Sequence, residues 1–490
     1  ANDTTRVLLF GSSINEIPST GGMGATWGGN QVFTVNNDLD ALGDLYLTVG
    51  MSMESSNAPT TNAAAEADAY LYQNGLIYFI KRVEFMVGTQ VWQTLETADI
   101  LAANVTEKTE GEYHSIQLNA MGNSRSDGNQ LYSPVSLHRG PVYADGKRSN
   151  VTFKLPVLTK TLASTFEKFA NNTEDGYLMA AAPHQQVKVK VYFADNGKNI
   201  FSPMVPQVND IDETDRKYGD WAVSLLGKHQ IMCNAERQQL KNMPQGLPKR
   251  IKMTQNASMT VDTYTQGTPF VVDLDHFSLF ASYLVVSCNV ERTNTFAANN
   301  SDVFSFPDAD NMIAQGFAGG SVISLESCEL LLNSTSVSGV LLTDFLTSCA
   351  AESLGLNFNR LNILTDCDDD RVNYLHYGSN NASGTQGDTI TQWAANNKPA
   401  SSLPFKVFDP NTTYIFPLAS HAYDGSAIPL NRFDNIRLRC TPADFSTFNA
   451  SSEFSSSLNS LTGGKVNVNV TCFGETTALY RGGAASLAMY

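Results

Sequence analysis

Along the whole chain, apolar and polar residues alternate at every second position, and this constrains its fold more than any other feature. Leu45-Tyr-Leu-Thr-Val-Gly-Met-Ser-Met53, Val83–Val87, Val187–Phe193, Ile436–Cys440 and Val466–Phe473 mostly put β-branched, aliphatic or aromatic side chains on one face and polar ones on the other. A period of two is the mark of a strand half-buried in a sheet, because successive side chains leave a strand on opposite faces. Helical pattern is confined to two short stretches. One runs from Thr94 to Asn104, after a strand. The other is Asn234–Met243, with Asn234 as N-cap, Glu236 in the first turn and a stop at Pro244 and Gly246.

The strand pattern falls into two blocks of similar size. Residues 1–29 read as a glycine-rich terminal segment and 30–200 as a first β domain. Residues 201–245 read as a mixed connector carrying the Asn234 helix, and 246–490 as a second β domain. Long stretches poor in charge separate the strands, at Glu54–Ala67, Asn294–Gly320 and Asp366–Ser402. Loops of that length on a sandwich carry binding or interface surface. The architecture that fits is all-β: two consecutive eight-stranded jelly rolls with few short helices.

Charge narrows the partners. The 490 residues hold 48 acidic against 32 basic side chains, a net charge of -16, which phosphates would repel, so no direct nucleic-acid partner is expected. The short basic run Lys249-Arg250-Ile251-Lys252 reads as a solvated face. No stretch reaches the roughly 18 consecutive apolar residues of a membrane helix. Ala1-Asn-Asp-Thr-Thr-Arg6 lacks the charged-then-apolar order of a secretory signal. The seven cysteines, Cys233, Cys288, Cys328, Cys349, Cys367, Cys440 and Cys472, are scattered and never spaced as C-x-x-C. They read as reduced, mostly buried thiols in a protein assembled inside a cell.

Motifs of catalysis and metal binding are missing from the sequence. Gly21–Gly29 lacks the order and the strand-to-helix setting of a phosphate loop, and the seven histidines never pair at ligand spacing. The carboxylate runs Asp210–Asp215 and Asp366–Asp370 lack the order of a calcium loop and read as solvated. No catalytic residue, metal site or cofactor is therefore expected. The triplet N-x-[ST] recurs at Asn2, Asn104, Asn150, Asn171, Asn256, Asn299, Asn333, Asn381, Asn411, Asn449 and Asn469. These are candidate glycan acceptors, yet without a secretory signal they would not meet the usual transferase.

The most specific segment is Asp424-Gly-Ser-Ala-Ile-Pro-Leu-Asn-Arg-Phe-Asp-Asn-Ile-Arg-Leu438. It resembles the hallmark stretch of the major capsid proteins of nucleocytoplasmic large DNA viruses, in which a glycine turn leads to an asparagine, an Arg-x-Asp step and an alternating strand. The matching positions are Gly425, Asn431, Arg432 and Asp434, followed by Asn435 and Leu438. The family usually carries a small Ser or Thr between the asparagine and the arginine; Asn431-Arg432 lacks it, as in a divergent member. Other segments agree in order: Ile80–Val91 in the first domain, Ala222–Leu226 leading to Asn234–Gln239, Glu326–Asn333, and Val466–Phe473 followed by the ending Leu479–Tyr490. In size the chain is similar to algal-virus members, with somewhat longer loops.

The resemblance implies a structural subunit of an icosahedral shell, without enzymatic activity. It would form homotrimeric, pseudo-hexagonal capsomers that meet neighbouring capsomers, penton and minor capsid proteins and lie over an internal membrane. It would be made in the host cytoplasm and reside in the virion capsid. Arg432 and Asp434, i and i+2 on one strand face, are expected to orient the preceding turn through hydrogen bonds. Two other readings compete. One is a carbohydrate-binding or carbohydrate-active sandwich using some of the 4 Trp and 18 Tyr as stacking platforms. The other is a minor capsid or spike protein of the same fold. The repeated sandwich, the missing signal and the Gly425–Leu438 segment favour the shell.

Overall fold

A computed structural model describes residues 9–36, 39–52, 70–72, 76–109, 111–113, 115–116, 139–141, 148–156, 177–195, 201–202, 221–241, 246–262, 265, 267–290, 325–357, 413–423, 425–442 and 466–488. Its first half comprises β1 (Leu9–Ile17), β2 (Ser19–Gly22), β3 (Asn30–Thr34), β4 (Ala41–Ser52), β5 (Tyr70–Tyr72), β6 (Ile80–Val87), β7 (Gln90–Glu96), helix α1 (Thr97–Glu107), β8 (Arg139–Pro141), β9 (Arg148–Lys154), β10 (Val187–Phe193), β11 (Phe201–Ser202) and β12 (Trp221–Met232). Helix α2 (Asn234–Lys241) leads to the second half. There follow β13 (Leu247–Val261), β14 (Phe270–Asp273), β15 (Phe280–Val290), β16 (Leu325–Leu332), β17 (Thr335–Ser336), β18 (Leu341–Leu342), β19 (Thr413–Pro417), β20 (Ile428–Pro429), β21 (Ile436–Pro442), β22 (Val466–Arg481) and β23 (Ala484–Ala488).

Each half is a sandwich. The first packs a sheet of order β1-β12-β4-β9 against one of order β2-β3-β10-β6-β7, and a third, small sheet has the order β11-β5-β8. Alternation sets the faces: along β10, Val187, Val189, Val191 and Phe193 are buried while the lysines and Tyr192 between them are not. Those side chains merge with Leu45, Leu47 and Val49 of β4 and with Val83, Phe85 and Val87 of β6 in one core. At one end of this core the rings of Phe79 and Trp221 stack at 3.7 Å, with Trp27 edge-on to both. The second sandwich packs β13-β22-β15-β19, to which β20 and β23 attach, against β14-β21-β16-β17, to which β18 attaches. Its own core holds Leu284, Val286, Val468, Val470, Leu330 and Leu438.

The structure moves both expected borders of the first unit. Residues 9–22, placed in a terminal segment by their glycines, form β1 and β2. Trp221–Met232, placed in the connector, lies between β1 and β4 in register, with Leu225 opposite Leu47 and Ile17. Their side chains explain the difference. β1 reads Leu-Phe-Gly-Ser-Ser-Ile-Asn-Glu-Ile, and its Ile14 is exposed, so it is an edge strand held by backbone hydrogen bonds that leave no periodic trace. α2 stays with the first unit as well: the Arg237 guanidinium donates at 2.6 Å to Asp40, which also accepts from the Met232 amide at 2.8 Å. The helix foreseen at Thr94–Asn104 begins three residues later, where the Asp99 carboxylate accepts from the Glu96 amide at 2.8 Å and closes its first turn.

Candidate functional site

Strands β15 and β19 and the middle of β22 are buried on both faces, and that sets the seam between the sandwiches. On β15, Leu284, Val286 and Cys288 face the second core, while Tyr283 and Val285 join the first. β22 behaves alike: Val466, Val468, Val470 and Cys472 turn one way and Phe473 the other, so that residues 471–475 are buried without a break. A strand buried on both faces loses its alternation, as in a sheet covered by other layers. Over β22 lies α1, in which residues 99–106 are all buried, while β7 packs on β13 and the helical turns of residues 345–353 pack on β19.

A polar strip runs along α1. At its start the Asp99 carboxylate accepts from the Thr471 hydroxyl at 2.6 Å and from the Asn256 side-chain amide at 3.1 Å. Nearby, Gln93 on β7 donates to the Thr254 hydroxyl at 2.7 Å. At the helix end Glu107 accepts from the Tyr423 hydroxyl at 2.9 Å and the Tyr283 hydroxyl at 3.4 Å, and is ion-paired with Lys252. A second strip joins the units farther on. The Tyr480 hydroxyl accepts from the Leu178 amide at 3.2 Å, and the Gln185 side chain accepts from the Ala485 amide at 2.6 Å.

Burial dominates the electrostatics here. It pushes the Asp99 carboxyl up to about 7, against the hydrogen bond from Thr471. It pushes the Lys252 ammonium down to about 7, opposed by Asp44. The Tyr283 and Tyr423 hydroxyls are raised by burial too, which keeps them donors. Beside Lys252 a cavity of about 260 Å³ opens, walled by Glu107, Asp44, Lys154, Leu356 and Tyr423. Lys252, expected on a solvated face, is only 4% exposed, because its position on β13 turns it into the seam. Neither it nor Glu107 had a sequence signal: they come together from positions 145 residues apart.

The residues carrying the family resemblance are arranged differently from expectation. Gly425 is exposed with φ +88°, a left-handed conformation that suits glycine. Leu438 is fully buried, opposite Val272 and Leu330. Asn431 and Asn435 are half-buried, whereas Arg432 and Asp434 are exposed; among the described residues neither of these two side chains makes a hydrogen bond or ion pair. Asn333 holds the turn instead. Its side-chain oxygen accepts from the Asp434 and Asn435 amides at 3.1 Å each, and its own amide donates to the Asn435 carbonyl at 2.8 Å. A residue at the end of β16 thus does what had been expected of Arg432 and Asp434.

The candidate glycan acceptors scatter. Asn104 is 1% exposed inside α1 and Asn256 is half-buried in the seam, so neither is open to a glycan; Asn150 and Asn333 are exposed. Asn171, Asn299, Asn381 and Asn411 lie outside the described residues, as do both carboxylate runs. Among the described residues no group of three or more His, Cys, Asp or Glu side chains is placed to hold a metal ion, and no helix is long and apolar enough to cross a membrane. The described cysteines are free thiols, four of them buried.

Compared by sequence, the chain matches no protein-family model and no curated protein. Compared by fold, it is similar over its whole length to solved virus structures. PBCV-1 VP54, in a crystal structure fitted into a cryo-EM reconstruction of the virophage Sputnik, superposes with a TM-score of 0.59 at 10% identity, covering 100% of this chain and 99% of that one. The quasi-atomic model of the PBCV-1 virus capsid gives 0.58 at 10% identity with the same coverage. The Faustovirus major capsid protein gives 0.54 at 8% identity over 97% and 92%. The fold is therefore the double jelly roll of these capsid proteins, as anticipated from the order of strands and motifs.

Proposed function

We propose that the chain is a structural subunit of an icosahedral virus shell, of the major capsid type found in nucleocytoplasmic large DNA viruses. The observation that carries this is the end-to-end likeness to PBCV-1 VP54: both sandwiches, in order, account for 99% of that chain. In this reading three copies form a pseudo-hexagonal capsomer, six sandwiches from three chains. The seam is what suits the chain to that work, since strands packed between the two cores fuse the sandwiches into one block. Neighbouring capsomers, penton and minor capsid proteins would be the partners in the virion, with an internal membrane below and no direct nucleic-acid contact. Synthesis would take place in the host cytoplasm, and the role requires no reaction.

Native mass measurement with negative-stain imaging tests the proposal. The expected result is a particle of three times 53.2 kDa with a pseudo-hexagonal outline. A chain that stays monomeric at high concentration overturns it.

A further inference from the structure

Building a shell makes no use of the ionisable cluster beside the seam cavity. Lys252 of the second sandwich reaches the Glu107 carboxylate at the end of α1; the lysine is buried and the glutamate partly so. The Lys252 nitrogen lies 5.0 Å from the centre of the Tyr423 ring and 5.7 Å from that of Phe473. The Tyr423 and Tyr283 hydroxyls donate to the same carboxylate oxygen, Oε1, that contacts the lysine. Asp44, ion-paired with Lys154 at 2.6 Å, shares the cavity wall.

We propose that Lys252 and Glu107 condense into an intramolecular amide that joins the two sandwiches covalently. The ion pair first shares its proton: Lys252 gives one to the carboxylate, where it rests on Oε2, so that an amine faces a carboxylic acid whose carbonyl oxygen is Oε1. Burial of the lysine favours this neutral pair over the charged one, consistent with the lowered basicity of Lys252. The amine lone pair attacks Cδ of Glu107, an N–C bond forms, and the carbonyl electron pair moves onto Oε1. There the two tyrosine hydroxyls stabilise the developing oxyanion. Asp44 accepts the surplus proton from nitrogen and returns it to Oε2. The pair on Oε1 restores the carbonyl, the C–Oε2 bond breaks, and water leaves into the cavity. One ammonium and one carboxylate become one amide and one water, so no oxidant, cofactor or second substrate is needed. Proximity supplies the drive: two groups held in contact react as if at very high concentration.

The test is the mass of the full-length chain, denatured and unmodified by any reagent, followed by peptide mapping. It reads single chains and so is independent of whether they form trimers. The expected result is a mass lower than the sequence mass by one water, about 18 Da, together with a branched peptide linking the segments around residues 107 and 252. Lys252→Arg, which keeps the charge and most of the length, is expected to restore the full mass. An intact mass equal to that of the sequence overturns the proposal and leaves an ion pair only. Loss of water without the branched peptide overturns it equally, since the dehydration then lies elsewhere.

Discussion

Asp99 on α1 accepts a hydrogen bond of 2.6 Å from the hydroxyl of Thr471 on β22, across the seam between the sandwiches. The carboxyl is 1% exposed, so this contact couples a titratable group to the joining of the two halves.

That coupling sets a pH dependence. The folded chain holds the Asp99 proton up to about 7, whereas the ordinary value is 3.8. Between those values the folded state binds the proton and the unfolded state does not, so stability falls as pH rises. The contribution is fully present below 3.8 and lost above about 7; its size is on the order of a few kcal/mol, at about 1.4 kcal/mol for each unit. Asp99→Asn is expected to flatten the decline in urea midpoint over that window. A variant with the same slope as the parent would show that another group titrates there.

The turn before β21 gives a second prediction, in which the two expected residues and the observed one part company. Asn333 sits at φ +49° and accepts two amide hydrogens, so Asn333→Ala loses both bonds and places alanine in a left-handed conformation. A loss of about 2 kcal/mol in urea unfolding is expected. Arg432→Ala removes an exposed side chain and is expected to stay within about 0.5 kcal/mol of the parent. The reverse ranking would return the turn to Arg432.

This difference also marks how far the sequence reaches. Strands such as β10, whose valines all turn inward, announced themselves, because one buried face and one solvated face leave a period of two. β1 did not, since an edge strand draws its order from backbone bonds that any side chain permits. β12 reads as a strand, but its place in the first sandwich depends on partners far away in sequence, β1 and β4. The seam was least legible. Its residues look like ordinary surface until two layers close over them: Lys252 reads as part of a short solvated basic run, Asn104 as a sequon, and Glu107 falls beyond the helix expected at Thr94–Asn104. Burial on both faces erases the alternation by which strands are recognised. The turn motif was visible as a pattern, yet its holder, Asn333, lies 101 residues upstream of Asp434 and is joined to it only by the pairing of β16 with β21.

The seam predicts what separation of the halves would do. Tyr283, Val285, Ile415 and Phe473 turn from the second sandwich toward the first and are at most 1% exposed. Each contributes on the order of 2 kcal/mol through the apolar surface it hides. A chain of residues 246–490 alone would bare apolar surface of these side chains that the first half now covers, an arrangement prone to self-association. It would also strand Lys252 without Glu107, and Thr471 and Asn256 without Asp99. Expressed alone, this half is expected to be insoluble or to bind a hydrophobic dye strongly. Co-expressed with residues 1–245 it is expected to be recovered in a soluble one-to-one complex. A soluble, monomeric second half that excludes the dye would mean that the seam is a loose contact, and that the sandwiches are independent domains rather than one block.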